Sequence, residues 1–117
     1  MPEGRVLTKS EIEDGLRSLQ GWELRDGRLR KQFTFRTFLR AIAFVNSLAY
    51  LAEGAGHHPD LTINYNKVTV RLITHSEKAL TDRDFALAAD IEAKLGSRLM
   101  LPPEEEAPVA TPEAPAT

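Results

Sequence analysis

The chain holds three histidines, and all of them fall between residues 57 and 75: the adjacent His57 and His58, followed by Pro59, and then His75. Imidazole is the side chain whose ordinary pKa lets it give and take a proton near neutral pH, so gathering the whole supply in one stretch points to proton-transfer chemistry. Glu53 and Asp84 on either side and Tyr65 within the stretch add two carboxylates and a phenol. Three imidazoles could also hold zinc. Adjacent side chains in extended backbone point to opposite sides, however, which makes His57 and His58 awkward co-ligands, and neither HxxxH nor HExxH occurs, so no metal is expected. Ser76 lacks the glycine pattern of a nucleophile elbow, and no Gly-rich phosphate loop is present.

Each of these groups also has a structural use. Asp84 stands three residues after Thr81, where a carboxylate stabilises a helix start. Pro59 restricts His58 to extended backbone and can open a strand. Glu53 can be a solvated charge at a helix end. The functional reading rests on all of them converging.

The elements that must bring them together are legible in the pattern. Thr8-Lys9-Ser10-Glu11 has the Thr-x-x-Glu spacing of a capping box, and Ile12, Leu16 and Leu19 mark one face of a first helix that ends at Gly21. Trp22-Glu23-Leu24-Arg25 then leads into Asp26-Gly27, a two-residue hairpin signal because both central positions of a type I′ turn need positive φ. Leu29, Phe33 and Phe35 alternate with polar residues on the return strand. A long helix is predicted from about Thr37 to Glu53, with Phe38, Ala41, Ile42, Val45, Ala49 and Ala52 on one face. Its second apolar row, Phe44, Leu48 and Leu51, is expected to pack against another copy of the chain, the alternative being burial beneath another helix of the same chain.

After His57-His58-Pro59, Leu61, Ile63 and Tyr65 alternate with Thr62 and Asn64. Val68, Val70 and Leu72 do so with Thr69 and Arg71, around a tight turn near Asn66-Lys67. Thr81 can cap a last helix carrying Phe85, Ala88, Ile91 and Leu95, with Gly96 as its stop. The order is αββαββα, an α+β fold: a four-stranded antiparallel sheet with the helices packed on one face. Because the third and fourth strands are hairpin partners, the loops bearing His57, His58 and His75 emerge at the same end of the sheet. Asp84, in the first turn of the last helix, can reach that end.

The 117 residues suit one domain, with 42% hydrophobic and 27% charged residues, the balance of a soluble globular protein. No apolar run approaches the roughly 18–20 residues of a membrane helix, and Met1-Pro2-Glu3-Gly4-Arg5 lacks a signal peptide's apolar stretch. The absence of cysteine excludes disulfides, a thiol nucleophile and thiolate metal sites, and suits a cytoplasmic setting. From Pro102 the composition shifts to proline, alanine and glutamate, so residues 1–101 are expected to form the domain and 102–117 a disordered acidic tail. Neither the net charge of −2 nor the +2 that remains without the tail's four acids argues for nucleic acid as a partner, and the basic stretch Arg25, Arg28, Arg30, Lys31, Arg36 and Arg40 reads as a solvated face.

Taken together, Glu53-x3-His57-His58-Pro59-x5-Tyr65-x9-His75-x8-Asp84 resembles the signature of the pterin-4a-carbinolamine dehydratase family, with every position filled. The similarity extends over about residues 8–97. It includes Phe33-Thr34-Phe35-Arg36-Thr37-Phe38, Tyr65-Asn66-Lys67-Val68 and Leu80-Thr81-Asp82-Arg83-Asp84-Phe85-Ala86-Leu87-Ala88. Leu61-Thr62 departs from some animal members, which carry aromatics there.

The resemblance implies a hydro-lyase that dehydrates 4a-hydroxytetrahydrobiopterin, the pterin left by an aromatic amino acid hydroxylase, to quinonoid dihydropterin, in tetrahydrobiopterin recycling and with no cofactor. It implies His57 and His75 as the acid and base. Asp84 either orients a histidine or bonds the pterin, and His58, Glu53, Pro59 and Tyr65 serve substrate binding. It further implies a homodimer or homotetramer with no membrane partner, and a possible pathway link to the hydroxylase. Relatives that act by binding proteins, as a transcriptional dimerisation cofactor or a RuBisCO assembly factor, supply the alternative of a non-catalytic binding module.

Overall fold

A computed structural model of the chain describes residues 4–96; the expected acidic tail lies outside the described residues. The first helix, α1 (Lys9–Arg17), begins on the capping box read from the sequence, with Thr8 Oγ1 accepting from the Glu11 N–H and the Glu11 carboxylate accepting from the Thr8 N–H. The hairpin β1 (Glu23–Arg25) and β2 (Arg28–Thr34) turns through Asp26 at φ 54° and Gly27 at φ 76°, the two positive values that the Asp-Gly pair predicts. The long helix α2 (Phe38–Ala55) is capped by Thr37, whose hydroxyl accepts from the Arg40 N–H. The second hairpin joins β3 (Asp60–Asn64) to β4 (Lys67–Leu72), and α3 (Asp82–Ile91) continues into a π-helical turn, Glu92–Gly96. The second turn sits at Tyr65-Asn66, one residue before the expected position, with Tyr65 at φ 53°.

The strands form one antiparallel sheet in the order β1-β2-β4-β3. Period-2 alternation puts Leu29 and Phe33 of β2 and Val68, Val70 and Leu72 of β4 on one face, each fully buried in the same core as Ala41, Phe44 and Leu48 of α2 and Leu87, Ala88 and Ile91 of α3. Phe44 lies at the centre, with ring centroids 4.7 Å from Phe33 and 5.0 Å from Phe35. The α+β architecture is therefore the one the pattern predicts.

The faces of α2 differ from expectation. Phe44 and Leu48, expected to pack against another copy, are buried within the chain, while Phe38, Leu39 and Tyr50 point outward, Leu39 and Tyr50 at 77% and 83% exposure. A helix with two apolar rows does not announce which stripe meets the sheet; the seating of α2 on the sheet decides it. No helix among the described residues is long and apolar enough to cross a membrane.

Residues 5–7 also have a positional role. The Arg5 N–H bonds the Asp82 carboxylate at 2.9 Å, the Asp82 N–H bonds the Arg5 carbonyl at 3.2 Å, and Val6 bridges Thr81. This segment braces the start of α3, the turn that carries Asp84.

Candidate active site

His57 follows directly on the end of α2, and the helix cap holds its backbone. Gly56 adopts the left-handed conformation at φ 65°, ψ 30°, its N–H bonds the Glu53 carbonyl, and the His57 N–H bonds the Ala52 carbonyl at 3.2 Å. This pair of bonds is a Schellman motif, and the positive φ is what glycine supplies without a Cβ penalty. The His57 side chain then turns inward, 9% exposed, and Nε2 meets Asp84 Oδ1 at 2.5 Å.

Asp84 is fully buried and uses both oxygens. Oδ2 accepts from the Thr81 N–H at 2.9 Å, completing the capping box of α3, and from the Thr74 hydroxyl at 2.8 Å. Thr74 and Thr81 are themselves joined at 2.7 Å between their hydroxyl oxygens. Each hydroxyl has one proton, and Thr74 gives its own to Asp84, so Thr81 donates to Thr74. The helix cap and the His57 contact thus fall on different oxygens of one carboxylate. A carboxylate that accepts on Oδ2 and faces a ring nitrogen with Oδ1 leaves Nε2 to carry the proton, which sets the tautomer of His57.

His75 opens a four-residue loop, 75–78, closed by the bridge between Thr74 and Ala79 and tightened by the Glu77 N–H to Thr74 carbonyl bond at 3.0 Å. Its Nε2 lies 3.7 Å from Asp60 Oδ2, with both side chains exposed. His58 pairs with Glu53 at 2.7 Å, also in the open. Each histidine therefore has its own carboxylate: one pair is buried and two face solvent. Among the described residues no three histidine, cysteine, aspartate or glutamate side chains group as a metal site would require.

Gly56, His57, His58, Thr74, His75, Ser76 and Arg83 line one open cleft of about 230 Å³. That volume lies below the roughly 300–1,000 Å³ typical of pockets for drug-sized ligands. A larger groove of about 340 Å³ between α1 and α3 is bounded by Arg5, Glu11, Ser18, Asp82 and apolar residues and contains no histidine.

The structure thus brings His57, His58, His75, Asp84 and Glu53 to one end of the molecule, with Pro59 half-buried where β3 begins. Tyr65 is not brought there. It is 69% exposed in the turn between β3 and β4, roughly 16 Å away at about 3.3 Å per residue over the length of β3. Sequence reasoning missed Asp60, Thr74 and Arg83. Each is next to, or two residues from, a residue it did single out (His58, His75, Asp84), so position relative to the histidines was the available signal.

The described chain is an open antiparallel sheet backed by helices, with a buried histidine–aspartate pair and two further histidines on one small cleft. The sequence profile of pterin 4 alpha carbinolamine dehydratase matches residues 5–94, and the chain belongs to that family. The match begins before residue 8, consistent with the bonds from Arg5, Val6 and Leu7 to the start of α3.

A protein of Acidobacterium capsulatum, provisionally named a pterin-4-alpha-carbinolamine dehydratase, is 49% identical over 89 residues, which cover 76% of this chain and 97% of that one. A similarly named protein of Nostoc punctiforme is 46% identical over 87 residues, covering 74% and 94%. Among solved structures, a transcriptional coactivator/pterin dehydratase from Brucella melitensis superposes with a TM-score of 0.73 at 37% identity, covering 76% of this chain and 97% of that one. A pterin dehydratase-like RuBisCO assembly factor of the alpha-carboxysome aligns with a TM-score of 0.52 at 27% identity, covering 62% and 83%.

Proposed function

We propose that the protein is a 4a-hydroxytetrahydropterin dehydratase working by histidine acid–base catalysis in the cytoplasm. The single observation that carries the reading is the buried His57–Asp84 pair, placed on the same cleft as His58 and His75. Hydroxide is a poor leaving group. An acid must protonate the 4a-hydroxyl so that the C4a–O bond breaks with release of water, a ring-nitrogen lone pair forms the new C=N bond, and a base takes the proton from the ring. The balance is loss of one water, with no change of oxidation state.

With Nε2–H committed to Asp84, His57 offers Nδ1 as acceptor and takes the ring proton. His75, open to the cleft, protonates the departing hydroxyl. His58, steadied by Glu53, binds the pterin beside Pro59. The burial of Asp84 supports an orienting part for it rather than contact with the pterin. Tyr65 has no part within one chain on this reading.

The test is dehydration of a 4a-hydroxytetrahydropterin, generated by an aromatic amino acid hydroxylase and followed by absorbance. Wild type should accelerate the reaction, and His57→Ala and His75→Ala should each lose about 10²–10⁴-fold. A folded wild type that leaves the spontaneous rate unchanged would sink the proposal.

A second reading is favoured by the outward Leu39 and Tyr50 of α2, which form apolar surface unrelated to the cleft. On this reading α2 binds protein, either in a homodimer or homotetramer or as a non-catalytic module; the two similar solved structures are named a transcriptional coactivator/pterin dehydratase and a RuBisCO assembly factor. Sedimentation showing a monomer at micromolar concentration would remove the self-association form of it.

A further inference from the structure

The α2 helix ends without a basic side chain in its own last turn. Its terminal carbonyls carry partial negative charge and need donors. The Schellman turn supplies two, for the Ala52 and Glu53 carbonyls. Arg83 serves others from across the fold: its Nη2 donates to the Ala55 carbonyl at 3.2 Å and to the Gly56 carbonyl at 2.8 Å. The Gly56 carbonyl belongs to the same peptide plane as the His57 nitrogen, so that bond restrains the backbone from which the His57 ring projects.

Arg83 and Asp84 are consecutive residues in the first turn of α3. One holds the peptide entering His57 and the other holds its ring at Nε2. A single rigid helical turn therefore sets both ends of this histidine, and the Arg83 side chain also borders the cleft.

We infer that Arg83 is a positioning residue for His57: it docks the C-terminus of α2 against α3 so that the imidazole meets Asp84 and the cleft together. This rests on the dehydratase reading, with His57 as a proton-transfer group. Lysine would keep the charge but replace a planar, pre-organised donor by a mobile point charge, so it is an incomplete substitute.

The experiment pairs kinetics with a measurement that needs no substrate. In ¹⁵N-histidine-labelled protein, the His57 Nε2–H should give a protected signal, since the ring is buried against Asp84. For Arg83→Ala that signal should shift or exchange away, and kcat should fall about ten- to a hundredfold with KM within about twofold, as a misplacement on the order of 1 Å would cost. Arg83→Lys should fall between Arg83→Ala and wild type in both readouts.

A rise in KM with kcat intact would make Arg83 a substrate contact and overturn the proposal. So would an unchanged His57 signal in Arg83→Ala. If the alanine variant does not fold, Arg83→Lys decides alone: a match to wild type in both readouts overturns the proposal. A wild type without dehydratase activity defeats the functional reading, while the ligand-free His57 signal still decides whether Arg83 positions the ring.

Discussion

Replacing Asp84 by asparagine probes the centre of the site, because the carboxylate is fully buried and all its partners are donors: the Thr81 N–H, the Thr74 hydroxyl and His57 Nε2. Asparagine has one acceptor oxygen and one NH2 group. With the oxygen toward Thr81 and Thr74, the cap and the hydroxyl bond survive, and the NH2 faces His57. The imidazole must then accept at Nε2 and carry its proton on Nδ1. The opposite flip sets the NH2 against a buried N–H and leaves both unsatisfied, at about 1–3 kcal/mol, so the first arrangement prevails.

All three charge-assisted bonds become neutral, and the loss of about 1 kcal/mol in each is partly offset by removing a buried charge, so the net cost is on the order of 1 kcal/mol and lowers Tm by roughly 4–8 °C for a domain of this size. The larger effect is on rate. With the proton moved to Nδ1, His57 cannot accept the ring proton there, and a wrong tautomer with intact geometry has cost about 10⁴-fold in a comparable histidine–aspartate pair. Asp84→Asn should therefore melt only slightly early while losing about 10²–10⁴-fold in kcat, and ¹⁵N chemical shifts should report Nδ1 protonation. A variant with nearly full kcat, or one inactive with the proton still on Nε2, would refute the reasoning.

Two further outcomes follow from the same geometry. Gly56→Ala places a Cβ in ordinary contact with Arg83, nearest atom 3.6 Å, so the cost is conformational: the left-handed φ of 65° should lower stability by about 1 kcal/mol in urea unfolding. A loss near zero would mean the cap is not held at that φ in solution. Glu11 has its carboxyl pKa held below the ordinary glutamate value, first by the Thr8 N–H bond and then by Arg5. Its contribution is therefore complete above the unfolded pKa and is lost as pH falls through the lower folded value. The stability difference between wild type and Glu11→Gln, followed against pH, should shrink across that acid window and be flat at neutral pH.

Local rules carried much of the fold. The Thr8/Glu11 and Thr81/Asp84 spacings became capping boxes because those bonds span three residues and need nothing from the rest of the chain. Asp26-Gly27 turned the first hairpin because its φ requirement is met by the residues themselves. Strand alternation set which side chains of β2 and β4 face the core. The two apolar rows of α2 could not be assigned in the same way, since Phe44 and Leu48 are core residues only because of where the helix lands on the sheet.

The sequence by itself determined the element order, the local caps and turns, the pooling of all three histidines near one end of a hairpin, and the family those residues mark. Only the tertiary structure decided which carboxylate each imidazole meets. His57 takes Asp84 from 27 positions away, His75 faces Asp60, Tyr65 is left at the far end of its hairpin, and Arg83 reaches back to close α2. The physical reason is range. Caps, turns and alternation are settled within about four residues, whereas the partners of a side chain across the fold depend on sheet register and on how two helices seat against it.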